Sequence, residues 1–145
     1  MKKLISYILL FSMLGCGGKK DAESYYNRGV NYGRSGKSAK AVESFKEAIR
    51  MNPVYLEAYV GLGMAYGGME RHDDAIASFK QALAINPDYI PARYYMAIAY
   101  LITGNKDEAS RECEIIKDRD KNIAGKLLKL MNNRQDQSDS KNDRQ

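Results

Sequence analysis

Residues recur along this chain at intervals of 34: Asn52-Pro53 returns as Asn86-Pro87, Tyr32 as Tyr66 and Tyr100, and Ala41 as Ala75 and Ala109. The register holds over longer strings, since Tyr25, Gly29, Phe45 and Ala48 have Tyr59, Gly63, Phe79 and Ala82 at the same offset. A third copy keeps Tyr100 and Ala109, has Ala97 where the others have glycine, and carries Arg93, Cys113, Ile116 and Lys121 where the second has Tyr, Phe, Ala and Pro. A period of this size means one supersecondary unit repeated and stacked, because a unit so small cannot bury its apolar face alone.

Within a copy the apolar and small residues step by three and four, as in Tyr59, Leu62, Gly63 and Tyr66, then Ala75, Phe79, Ala82 and Leu83. That spacing puts each set on one face of an α-helix. Polar breaks at Ser35-Gly36-Lys37, Met69-Glu70-Arg71-His72 and Gly104-Asn105-Lys106 separate the two faces. Each copy is therefore predicted as a helix, a tight turn and a second helix. Asp73, Asp74, Asp107 and Glu108 fall in the first turns of second helices, where the helix dipole favours them. Asn52-Pro53 and Asn86-Pro87 end those helices. Gly29, Gly63, Ala41, Ala75 and Ala97 let backbones approach beside the larger Tyr25, Tyr59, Phe45 and Phe79.

This order of aromatic, Leu, Gly, Tyr, Ala, aromatic, Ala and Pro residues resembles the tetratricopeptide repeat over Ala22 to Ile123. The second copy carries it as Tyr59, Leu62, Gly63, Tyr66, Ala75, Phe79, Ala82 and Pro87; the first departs at Arg28, where leucine is usual. The resemblance implies an all-α solenoid of three helix-turn-helix units, residues 22–55, 56–89 and 90–123, the third degenerate. Ile123, Leu127, Leu130 and Met131 predict a C-terminal capping helix over 123–131, although Gly125 interrupts the stripe. Residues 132–145 contain no apolar side chain and are expected as a disordered tail.

The first fifteen residues follow another rule: Lys2-Lys3, an uncharged, largely apolar run of 11 from Leu4 to Leu14, then Gly15-Cys16-Gly17-Gly18. This is the pattern of a signal peptide, residues 1–15, and the run is shorter than the roughly 20 residues of a bilayer-spanning helix. Met13-Leu14-Gly15-Cys16 resembles the bacterial lipobox in its cysteine and the small residue before it, while Met13 and Leu14 are not the favoured types. The resemblance implies cleavage between Gly15 and Cys16, a lipid on the Cys16 thiol, and a linker over 16–21. Gly17 in place of Asp implies an outer-membrane, periplasm-facing position in a Gram-negative envelope. The other cysteine, Cys113, takes the place of Phe45 and Phe79 and reads as a small buried apolar residue, so no disulfide framework is expected.

With Lys2 and Lys3 removed, 21 basic residues face 18 acidic ones, a net of +3 spread without a basic stripe, so there is no footprint for nucleic acid. The chain has one histidine, His72, and a metal site needs several His, Cys or carboxylate ligands. No phosphate loop, nucleophile elbow, CxxC or HExxH occurs. Neither catalysis nor a cofactor beyond the covalent lipid is expected.

Binding is the remaining class. In tetratricopeptide proteins the second, fifth, ninth and twelfth positions of each repeat line a groove, which here implies Glu23, Tyr26, Val30 and Gly33, then Glu57, Val60, Met64 and Gly67, then Pro91, Tyr94, Ile98 and Leu101. The expected partner-binding residues are Tyr26, Val30, Val60, Met64, Tyr94, Ile98 and Leu101. One branch of the family grips a peptide carboxylate with Lys, Asn and Arg; those places hold Tyr26, Val30, Gly61, Pro91 and Tyr95, so that clamp is missing. The surface suits an apolar helix or extended segment, with Met64 able to adapt. Gly61, Gly67 and Gly68 each cost about 1 kcal/mol in a helix relative to Ala and point to close approach by a ligand or a neighbour. The same stripe also reads as helix-to-helix packing. The expected function is a lipid-anchored interaction module, a scaffold or assembly factor that captures an envelope protein; the alternative is a self-assembling structural protein whose groove holds another copy or its own capping helix.

Overall fold

The computed structural model describes residues 21–142, and among them every regular element is a helix. The expected signal segment, Gly15, Cys16 and the linker before Asp21 lie outside the described residues. Helix α1 covers residues 21–34. It is followed by α2 (Ser38–Met51), α3 (Leu56–Gly67), α4 (His72–Ile85), α5 (Ile90–Ile102), α6 (Lys106–Lys117) and α7 (Lys121–Asn142).

Each first helix of a copy ends in the same turn. The carbonyls of Tyr32, Tyr66 and Tyr100 accept the backbone N–H of Lys37, Arg71 and Asn105 at 2.9, 3.0 and 2.8 Å. The residue before each of those donors has positive φ: Gly36 at 70°, Glu70 at 59° and Gly104 at 84°. A left-handed residue at this place returns two N–H groups to the last carbonyls of the helix. Glycine adopts it freely, whereas Glu70 must bring its Cβ against the following carbonyl. His72 and Lys106, expected in the turns, are instead the first residues of α4 and α6.

The second helices end on a side chain. Asn52 Oδ1 accepts the N–H of Val54 at 3.3 Å and Asn86 Oδ1 that of Asp88 at 3.0 Å. Asp120 holds this place in the third copy, but its carboxylate accepts the N–H groups of both Asn122 and Ile123 at 3.0 Å. That is a helix N-cap, so α7 begins at once and leaves the 34-residue register. Ala124 and Leu127 are its buried residues, while Lys126, in register with the buried Ala58 and Ala92, is exposed. Two expectations are corrected here. Leu130, placed in the buried stripe, is 42% exposed, because the register shift turns it to the edge of the face. The helix does not stop at 131 but continues through residues expected as a tail, to Asn142. Nothing after Gly125 breaks it, and extending a formed helix requires fixing only one residue per added hydrogen bond.

The chain divides into two compact units between Arg71 and His72. In the first, α2 packs on α3; in the second, α5 packs on α4 and α6, and α7 packs on α6 and α5. Ala41, Ala48, Ala75, Ala82 and Ala109 are almost wholly buried, as the repeated small positions require. The second unit is centred on Ala97, Cys113, Ile116, Ala124 and Leu127. Cys113 there donates from Sγ to the Ala124 carbonyl at 3.8 Å, and burial, then the Glu114 carboxylate, pushes its thiol up in pKa, with Lys117 opposing.

The third copy's departures come as a matched pair. The Tyr59 hydroxyl donates to the Pro53 carbonyl at 3.2 Å; Arg93, its counterpart, donates to the Pro87 carbonyl from Nε and Nη2 at 3.0 and 2.7 Å. The remaining Nη1 donates to Glu112 Oε2 at 2.7 Å. Glu112 stands where the other copies have Ser44 and Ser78, whose hydroxyls donate to carbonyls of their own helices. The cation that replaced a tyrosine is met by a carboxylate that replaced a serine.

Candidate functional site

In the first unit the Tyr26 ring lies against two others, Phe45 at 5.8 Å between centroids and Tyr55 at 5.1 Å, the latter tilted by 35°. Glycine makes this possible: a Cβ on Gly61 would stand 2.6 Å from the Phe45 ring and one on Gly29 would stand 2.7 Å from it. The close approach expected at Gly61 is thus to a neighbour within the chain. Gly68 is similar, since its Cβ would meet Ser38 Oγ at 2.7 Å, but around Gly67 there is open space. Tyr55 was not singled out from the sequence, although its recurrence as Tyr89 was a signal for it.

The expected groove residues of this unit differ in accessibility. Tyr26 and Val30 are half-buried, Val60 is buried, and Met64 is 49% exposed. Met64 stands out in α3, where Ala58, Val60, Leu62, Ala65 and Tyr66 are all buried. Burial and then the Glu57 carboxylate push the Tyr26 phenol up in pKa, with Arg34 opposing. Tyr55 is also raised, by burial first and then by Tyr26, Glu57 and Glu23.

In the second unit Tyr94, Ile98 and Leu101 are half-buried and packed against the core that includes Ala124 and Leu127 of α7. The apolar face of the cap has to be covered, and α5 helps cover it. Tyr94 also meets Tyr95 edge-on at 5.5 Å, and Tyr95 stacks on Phe79 at 6.1 Å. Of the positions where a carboxylate clamp would sit, Tyr26, Gly61 and Tyr95 are occupied in aromatic packing, Val30 is half-buried and Pro91 is exposed. Among the described residues no three His, Cys, Asp or Glu side chains are grouped to hold a metal ion, and no helix is long and apolar enough to cross a membrane.

Tetratricopeptide-repeat family models match residues 26–90 and 68–131, so that the two together run over all three copies. The chain is a tetratricopeptide-repeat protein. An uncharacterized protein of Methanocaldococcus jannaschii, MJ0572, is 49% identical over 39 residues, 27% of this chain and 45% of that one, so this repeat protein spans less than half of that relative's length. The crystal structure of MamA is similar at a TM-score of 0.67 and 30% identity, over 72% of this chain and 61% of MamA. The first tetratricopeptide domain of Spaghetti (RPAP3), solved bound to the HSP90 peptide SRMEEVD, is similar in fold at a TM-score of 0.73 and 19% identity, over 79% and 93% of the two chains.

As a tetratricopeptide-repeat protein the chain departs at Arg28. Leu62 and Met96, its counterparts, are buried, whereas Arg28 is exposed and lies over the Tyr25 ring at 4.9 Å.

Proposed function

We propose that this tetratricopeptide-repeat protein is a lipid-anchored interaction module of the bacterial envelope that holds an apolar helix or extended segment of a protein partner against Tyr26, Val30 and Met64. The observation that carries the reading is Met64: a long, adaptable apolar side chain left half in water beside the open space at Gly67, in the same unit as the Tyr26 and Tyr55 rings. Exposed apolar surface of this kind suits partner capture. The peptide-bound relative supports this use of the fold. The acidic peptide bound by that domain does not carry over, because the clamp positions here are apolar or aromatic. In this reading Tyr94, Ile98 and Leu101 serve mainly to seat α7. A scaffold or assembly factor, with no catalytic step of its own, is the role that fits.

The anchor rests on the sequence alone, on Lys2-Lys3, the short apolar run and Gly15-Cys16. Cys16→Ser is expected to move the protein from the membrane fraction to the soluble fraction; retention in the membrane fraction overturns the anchor. Met64→Glu is expected to abolish partner capture with the far-ultraviolet circular dichroism unchanged. Unfolding of that variant would make Met64 a packing residue and overturn the binding reading.

A further inference from the structure

We infer that the first unit receives a cationic side chain, Lys or Arg, of the bound segment over the Tyr26 and Tyr55 rings, with Glu23 and Glu57 as its counter-ions. The inference rests on the partner reading above and adds the chemistry of one contact.

Three other tyrosines of this unit, the buried Tyr66 among them, have a cation over the ring, while among the described residues Tyr59 has none. Arg28 lies over Tyr25 at 4.9 Å, Lys40 over Tyr32 at 5.8 Å, and Lys46 and Arg71 over Tyr66 at 5.7 and 4.7 Å. Tyr26 and Tyr55 form the closest ring pair of the unit, yet among the described residues neither has a cation over it and neither hydroxyl has a hydrogen-bond partner. Phe45 packs against Tyr26 and helps fix the ring, and a ring held in place keeps its negative face available to a cation.

Glu23 and Glu57, both exposed, have no ion pair among the described residues, as is also true of Glu43 and Glu70, whereas Glu47 of the same unit is paired with Arg50. Glu23 and Glu57 occupy the same place in successive copies, and Pro91 removes the carboxylate from the third. The helix dipole favours Glu57 in the first turn of α3 with or without a ligand. What the dipole does not account for is a half-buried pair of rings without a cation beside these carboxylates: after burial, Glu57 helps raise the Tyr26 phenol, and Glu57 and Glu23 help raise that of Tyr55. Arg34 acts on Tyr26 from the end of α1 without lying over its ring. The surface would reject the carboxylate end of a peptide and accept an ammonium or guanidinium group flanked by apolar residues that reach Met64.

The test uses the full chain carrying Cys16→Ser, with aromatic carbons labelled, titrated by NMR with acetyl-Leu-Lys-Leu-amide, acetyl-Leu-norleucine-Leu-amide and acetyl-Leu-Glu-Leu-amide. The Lys peptide is expected to shift the Tyr26 and Tyr55 ring signals and to bind about two- to five-fold tighter than the norleucine peptide, the range of an exposed cation–π contact, with the Glu peptide weakest. Glu57→Gln, which keeps the size of the side chain, should erase most of that difference while the amide spectrum stays folded. Norleucine binding as well as Lys, or Tyr26 and Tyr55 signals that do not respond to the Lys peptide, overturns the inference. A partner that crosslinks at Met64 through a segment without Lys or Arg overturns it too, and leaves the partner reading standing. Lys-selective binding with no partner crosslinked has the opposite result: the cation site stands and the partner reading falls.

Discussion

Phe45 fills the space that a side chain on Gly61 would need, since a Cβ there would lie 2.6 Å from Cε1 and Cζ of the ring. Gly61 therefore belongs to the wall behind Tyr26. Gly61→Ala is expected to destabilise the first unit by about 1–3 kcal/mol, the range for overpacking a filled site. Gly67→Ala, with nothing within 4 Å of its Cβ, should stabilise by up to about 1 kcal/mol through helix propensity. Urea unfolding followed by circular dichroism separates the two; equal effects would contradict the packing described.

Arg93 and Glu112 form an ion pair with side chains only 15% and 14% exposed. Arg93→Leu leaves the carboxylate half of the pair without its partner and is expected to cost about 2 kcal/mol, below the full value for a buried pair because water still reaches both groups. The double change Arg93→Tyr with Glu112→Ser installs the residues that the first copy has as Tyr25 and Ser44, and should recover most of the loss. A double variant no more stable than Arg93→Leu would show that the two positions did not change together for a physical reason.

These two results also show what could be read from the sequence. The helices, their turns and the small positions were legible, because the repeat states each of them more than once and helical spacing is local. The Phe45–Gly61 contact and the Arg93–Glu112 pair join residues 16 and 19 apart in sequence, and no local pattern announces such partners. Asp120 could be aligned with Asn52 and Asn86, but its switch from closing a turn to capping α7 depends on the loss of the following proline. That switch set the cap's register, exposed Leu130 and brought α7 against Tyr94, Ile98 and Leu101. Nothing in the 34-residue period announces that Tyr94, Ile98 and Leu101 pack against the core that includes α7.

Glu70 adopts φ of 59° where the other copies use glycine. Glu70→Gly is expected to raise stability by about 0.5–1 kcal/mol, the left-handed strain relieved less the entropy lost by fixing a glycine. Thermal unfolding measures it, and a destabilised variant would mean that the Glu70 side chain makes a contact worth more than the strain.

Cys113 is folded with its thiol raised above the ordinary 9.0. The unfolded chain then loses its proton before the folded one, so the unfolded state binds fewer protons and stability falls as pH rises. The thiol's contribution is complete below about pH 8.5 and is lost on the alkaline side, as pH climbs toward the raised folded value. Cys113→Ala should lower stability at neutral pH by opening a cavity, yet flatten this part of the decline between pH 8 and 10. An unchanged slope in the variant would place the alkaline sensitivity elsewhere, at Tyr26 and Tyr55, whose raised phenols act with the same sign at higher pH.

The most direct test is photo-crosslinking in cells from position 64, with the same photoreactive residue at Lys126 as an exposed control. A discrete adduct with one envelope protein at position 64, missing at 126 and lost when Tyr26→Ala is added, is the expected result. No adduct at position 64, or adducts only with another copy of the chain, would contradict the account.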